Sequence, residues 1–422
     1  MRLNNDLKTW KILGAAALIS CSLFACKREM TPDSPTSADT SAVSTPSAQA
    51  SPSVLHSPDA NLDVQRESTF VRLTETYEVQ VAENEDGYPI LKPLLSGQLP
   101  PEMGEDLQTF SLETPEQQDI FDTHLLPILE DSFSRRYFVT SNKLEAGDEQ
   151  ADFRTLRHLV NLLTTRADQV WKEGDNERAL ALASLPLQLS ASMRNRPETV
   201  SVNLFSSNYA ESTLILIPKW IESEQFRPQD HQKLLAMIQE SAPSYSHLQE
   251  TVSVDFAQLS NSLQSEKGRE NLGIGRLEPS TLKKWLSQLN EIYSEAIKLY
   301  TPGSDEGSSF NERVLKASTL IQGLVIDYPQ VATMQRHSFA KYKSTELGLA
   351  LLGPEGDSLK SLSSEEVVER VFASQVDNLP VLKSILLVEH QGKSLRVMGK
   401  LGKFELLAPG VSPIFFEFHP DL

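Results

Sequence analysis

Eight histidines are the side chains best suited to move protons or hold a metal near neutral pH: His56, His124, His158, His231, His247, His337, His390 and His419. No two stand three to five residues apart, and no glutamate-flanked pair makes the helical zinc pattern. His158 and His337 each fall within a stretch of helical periodicity, where burial could tune an imidazole into a general base. Nucleophilic chemistry has few thiols to draw on. The two cysteines, Cys21 and Cys26, both lie near the start, so the chain beyond Cys26 offers neither a thiolate nor a disulfide.

Three short patterns touch known chemistry, and each lacks a part. Gly392-Lys393-Ser394 looks like the end of a phosphate-binding loop, but Leu387 stands where its first glycine belongs, and Leu395 and Val397 alternate as a strand rather than open a helix. Gly273-Ile274-Gly275 begins a dinucleotide fingerprint whose third glycine position is Glu278. Ser280-Thr281-Leu282-Lys283 and Ser338 to Lys341 fit the Ser-x-x-Lys of penicillin-interacting enzymes, and Ser206-Ser207-Asn208 imitates a second element, but the Lys-Thr-Gly element is missing. Trp171, Trp220 and Trp285 sit beside apolar positions, which favours packing over a ligand-stacking cage. The sequence therefore assigns no catalytic, cofactor-binding or metal residue, and implies no cofactor.

The chain has 422 residues and a net charge of −18. A surface of that sign repels phosphate backbones and argues against nucleic acid as a partner. The apolar content, 39 %, is enough for a globular body.

The first 25 residues read as an export signal. Arg2, Lys8 and Lys11 form a basic start, and Ile12 to Ala25 carry no charge. That run is too short to span a bilayer, which takes about 20 apolar residues. Leu23-Phe24-Ala25-Cys26 resembles the lipobox of bacterial lipoproteins, in which the cysteine becomes the acylated first residue. Leu18-Ile19-Ser20-Cys21 is a second match. Cys26 is the expected lipidation site, with Cys21 the alternative, because Ser22 to Phe24 continue the uncharged run and Lys27-Arg28 close it. The resemblance implies attachment to a membrane through N-terminal acyl chains, outside the cytoplasm. With lysine after the cysteine, it implies the periplasmic face of the outer membrane in a two-membrane cell.

Residues 26–64 follow as the acylated cysteine and a tether. Residues 31 to 60 contain eight Ser, four Thr, five Pro and five Ala, too little apolar surface to offset the entropy of ordering. Residues 65–110 are expected to hold short β segments, Thr69 to Leu73, Tyr77 to Val81 and Tyr88 to Leu91, then a proline-rich loop. Residues 111–376 carry helical periodicity. It begins at the capping box Thr114-Pro115-Glu116-Gln117 and includes expected helices near 198–224, 228–240, 244–265, 279–300, 309–327 and 330–352. Lys267 to Arg276 and Thr301 to Ser308 read as polar, glycine-bearing loops. Residues 377–422 return to strand periodicity as a meander: Val381 to Val388, Ser394 to Lys400, Lys403 to Ala408 and Ile414 to Phe418.

Two resemblances add architecture. Leu163 to Leu187 resembles a tetratricopeptide unit, with Ala167, Gly174, Asp175 and Ala179 at its small-residue and turn positions; Arg166, Ala183 and Pro186 depart from it, and no second copy follows. The run from Leu156 through Arg196-Pro197 to Ile221, with Gly392 to Leu407, resembles a group of exported bacterial proteins that have a long helical region and a β-rich end. The expected fold is α+β, mainly α: about eight helices with short antiparallel β segments at both ends. The expected function is a non-enzymatic envelope lipoprotein that binds or scaffolds another protein; an envelope hydrolase with dispersed catalytic residues, or a small-ligand binder, is the alternative.

Overall fold

The computed structural model describes residues 81–104, 107–140, 152–196, 198–300, 307–354, 356–359, 361–391, 394–399 and 415–418. Cys21, Cys26, His56, His419 and the expected strands at Thr69 to Leu73, Tyr77 to Val81 (but for Val81 itself) and Lys403 to Ala408 lie outside them.

Helices dominate. Helix α1 (Tyr88–Leu95) opens the body, where the sequence suggested a strand over Tyr88 to Leu91. Two local features turn it into a helix. Pro89 sits in its first turn, and Leu91 and Leu94 meet the core three residues apart. Gly87 before it has no alternative, since a Cβ there would stand 1.9 Å from the Ser132 carbonyl oxygen.

The Thr114 box caps α2 (Pro115–Ile120): Thr114 accepts from the Gln117 amide, and the Gln117 side chain accepts from the Thr114 amide. A π turn, Phe121–Leu125, leads into α3 (Leu126–Phe133). Pro127 follows in the first turn of α3, and it cannot supply the amide that an unbroken α register needs.

The tetratricopeptide-like hairpin is α4 (Phe153–Lys172) and α5 (Asn176–Ser192). Gly174 turns between them at φ +90°, and Asp175 caps α5 by accepting from the Arg178 amide. Ala167 and Ala179 have no exposed surface. Arg166 departs from the repeat for a visible reason: its guanidinium is buried and bonds Asp122 on the π turn at 2.8 Å.

Next come α6 (Val200–Leu214), α7 (Leu216–Ile221), α8 (Pro228–Ser241), α9 (Tyr245–Gln264) and α10 (Glu266–Asn271). The last of these is a helix where a loop was expected from Lys267; Ser265 caps it through the Gly268 amide at 2.8 Å. Helices α11 (Pro279–Lys298), α12 (Ser308–Lys316) and α13 (Thr319–Leu324) lead to the longest one, α14 (Tyr328–Leu352). Short helices α15 (Gly356–Leu359), α16 (Ser364–Val371) and α17 (Leu379–Ile385) complete the set.

The count differs from the expected eight. Helices α4, α5, α6, α8, α9, α11 and α14 have 14 residues or more, and the others are short pieces between them. Stretches expected as single helices divide at Ile215 and at Ala317-Ser318. Part of the expected strand Val381 to Val388 is α17, since Pro380 suits a first turn and Val381, Leu382 and Ile385 share one buried face.

The chain then enters β1 (Leu386–Gln391), β2 (Ser394–Gly399) and β3 (Phe415–Phe418), an antiparallel sheet in that order. Its register sets Phe416 opposite the buried Val397.

Two apolar cores result. The first runs from Leu91 to Ile238 and is completed by Tyr342 and Leu349. The second takes Val200, then Tyr245 through Val397, and includes Phe339, Leu347 and Leu351. Helix α14 serves both. No helix among the described residues is long and apolar enough to cross a membrane.

Candidate functional site: a buried polar seam along the central helix

A helix with a core on each side has no wet face to spend on polar residues, yet α14 buries Thr333, Gln335, Ser338, Lys343, Ser344, Thr345 and Glu346. Each such group needs a partner, because an unpaired one costs about 1–3 kcal/mol. Some are met within the helix, Thr333 by the Pro329 carbonyl, Thr345 by the Lys341 carbonyl and Lys343 by Glu346, while Ser344 Oγ has no hydrogen bond. The remaining polar groups of the seam meet side chains on or next to α5, α6, α8, α9 and α11 at three stations along the helix.

At its start, Tyr328 Oη donates to Asp255 Oδ2 at 2.7 Å, while the Val200 amide in the first turn of α6 donates to Oδ1 at 3.1 Å. Tyr293 packs edge-on against Tyr328, ring centroids 5.3 Å apart. Burial pushes the Asp255 carboxyl up to about 6, against the pull of those two hydrogen bonds. Burial likewise raises the phenols of Tyr328 and Tyr293, so both stay protonated donors.

In the middle, Tyr300 donates to Gln335, whose Nε2 donates to Asn203 Oδ1 at 2.8 Å. Arg336 Nε donates to Tyr245 Oη at 3.1 Å. One turn on, Lys341 bonds Glu211 on α6 at 2.6 Å. His337 lies beside this pair with both ring nitrogens buried and without a hydrogen bond. Burial brings its pKa down to about 4; the Lys341 charge adds to the drop and Glu211 opposes it.

At the far end, Arg194 Nη1 donates to Ser206 Oγ at 2.9 Å and to Ser190, and Nη2 donates to the Ser241 carbonyl at 2.6 Å. Tyr342 Oη donates to Ser241 Oγ at 3.3 Å. No carboxylate among the described residues pairs with Arg194. Its counter-charge is the negative end of α8, whose last residue is Ser241, together with that of α5 just before it. Burial lowers the guanidinium pKa. Lys343 and Glu346 pair at 2.8 Å with almost no exposed surface, and Gln239 reaches the second carboxylate oxygen at 3.4 Å. His231 Nε2 bonds the Leu349 carbonyl in the last turn.

The residues singled out by sequence scatter across the molecule. His158 bonds the Phe110 carbonyl at 3.2 Å, His124 is 3.9 Å from Glu102, and His247 is 3.7 Å from Glu250. His390 lies in β1. Gly392 and Lys393 are outside the described residues, but Gln391 pairs with Ser394 across them, and a strand follows. Gly273, at φ +68°, ends α10 with no strand before it. Ser280 and Lys283 are exposed in the first turn of α11. Ser206 is buried under Arg194, and Lys341 is held by Glu211. Trp171 and Trp220 stack in parallel, 4.6 Å between centroids, with indole N–H groups on Ser223 and Asp168. That is packing.

Of the residues singled out by sequence, the structure places His231, His337, Ser338, Lys341 and Ser206 on the seam. The seam residues that sequence reasoning missed are Asp255, Arg194, Lys343 and Glu346. Asp255 had a signal: it falls at helical spacing within the apolar stripe Leu248, Val252, Leu259, Leu263. Among the described residues no three His, Cys, Asp or Glu side chains gather as metal ligands.

Comparison with protein-family models, with curated proteins and with solved structures finds no match.

Proposed function

We propose that this chain is an acyl-anchored lipoprotein of the cell envelope whose helical body binds or scaffolds another protein. The observation that carries the reading is Leu23-Phe24-Ala25-Cys26 behind a basic start and an uncharged run, followed by a Ser/Thr/Pro/Ala tether. Counted as about 35 residues, such a tether averages roughly 30–35 Å end to end, enough for the body to stand off the bilayer. The body suits binding more than catalysis. The seam commits its charges to internal partners, while Ile215, Leu315 and Val376 are more than half exposed, as contact residues would be.

The test begins at the anchor. Cys26→Ser is expected to abolish incorporation of a labelled fatty acid and to release the chain from membranes. Labelling that survives this change but disappears in Cys21→Ser moves the anchor to Cys21. Labelling that survives both removes it altogether.

A hydrolase has one observation in its favour: His337 is an unprotonated imidazole at neutral pH with two free nitrogens. His337→Gln is expected to leave the envelope phenotype intact. Loss of a general base lowers rates by about 10²- to 10⁴-fold, and a fall of that size in a folded, correctly localised variant would replace the scaffold with an enzyme.

A further inference from the structure

Between the end of α11's first turn and the α12–α13 corner, the second core comes to the surface. Leu315 is 77 % exposed and Leu320 36 %. Leu282, Trp285 and Leu286 on α11, with Val314, Ala317 and Leu324, are half-buried against the core beneath them. The two segments run side by side in opposite directions. Arg313 bonds Glu291 at 3.1 Å, and the Ser318 amide bonds Gln288 Oε1 at 3.3 Å, which brings the corner to the turn holding Lys284 and Trp285. Gln322 ties the corner closed, bonding the carbonyls of Ala317 at 2.8 Å and Leu315 at 3.2 Å.

Charge separates this patch from the rest of the surface. The chain is −18 overall, yet Lys283 and Lys284 stand exposed beside Trp285 with no ion pair among the described residues; Arg313, paired to Glu291, and Lys316, paired to Glu312, flank Leu315. Protruding leucines, one half-buried tryptophan and flanking cations are the composition of an interfacial contact, in which apolar side chains enter the acyl boundary and the cations meet phosphate.

We propose that this patch rests on the anionic phospholipid surface to which the chain is tethered, so that the body lies against the bilayer instead of floating at the tether's full reach. The proposal rests on the lipid-anchor reading for its geometry. The chemistry of the patch is testable apart from it.

Trp285 is a built-in reporter, because Trp171 and Trp220 are buried in the first core. The experiment uses the full chain in a Trp10→Phe background, in vesicles of phosphatidylcholine and phosphatidylglycerol brominated on the acyl chains. Acylated protein should show quenching that is lost in Trp285→Phe, falls in Leu315→Glu with Leu320→Glu, and falls when phosphatidylglycerol is left out. The Cys26→Ser chain should show the same quenching, but only at higher lipid. Quenching in that unanchored chain supports the patch even if no acyl group is found on Cys26. Absence of quenching in both chains, with the fold intact by circular dichroism, overturns it. So does a Leu315→Glu variant that loses a protein crosslink while bromolipid leaves Trp285 untouched.

Discussion

Asp255 and His337 stand on the same seam and titrate in opposite senses. The folded state raises the Asp255 pKa from 3.8 to about 6, so it holds that proton more tightly than the unfolded chain does. This contribution to stability is complete below about 4 and is lost as pH rises through about 6. His337 falls from 6.5 to about 4, so its contribution is complete above 6.5 and is lost as pH falls through about 4. Between those limits the two offset each other. Removing either should therefore uncover the other. Relative to the parent, Asp255→Asn should lose stability when acidified from pH 7 to 5, whereas His337→Gln should gain it. Each difference should be about 1 to 3 kcal/mol in chemical denaturation, from the size of the two shifts. Parallel pH profiles in all three proteins would show that these groups do not titrate as placed. Neither residue could be assigned this behaviour from sequence, because a pKa depends on neighbours brought from α6, α11 and α14.

At the scale of elements, the α4–α5 hairpin depends on two alanines with no exposed surface on either side of the Gly174 turn. Ala179→Phe would force ring atoms into a filled space and should destabilise the fold by about 1–3 kcal/mol, read as a drop in melting temperature. An unchanged melting temperature would deny the close approach. This hairpin was legible in the sequence, as was the cap at Thr114, because each signal is local: a stripe, a turn glycine, an oxygen three residues from an amide. Tyr88 to Leu91 was not. Its alternation suits a strand, and against it stand Pro89 in the first turn, the burial of Leu91 and Leu94 in the core, and the contact of Gly87 with Ser132, 45 residues away. The seam was less legible still. Amphipathic patterning presumes one wet face, and α14, enclosed by two cores, shows no single stripe to read. The stretch was visible as a helix near 330–352, but its role as the shared wall was not.

Across the whole molecule, the two cores are not consecutive halves of the chain. The first is built almost entirely before residue 240, yet Tyr342 and Leu349 close it from α14, and Ser241 and His231 find partners there. A chain ending at residue 327 would contain nearly every residue of that core and still leave it open along one side. Such a truncation should bind an apolar dye and be cleaved by protease at low concentration. A fully protected fragment would show instead that the first core stands alone.

The position of α14 also bears on timing. A chain synthesised from its amino end exposes the residues of the first core until roughly four-fifths of its length has been made, because Tyr342 and Leu349 come that late. The first core therefore closes late, and the arrival of one helix sets when it is sealed.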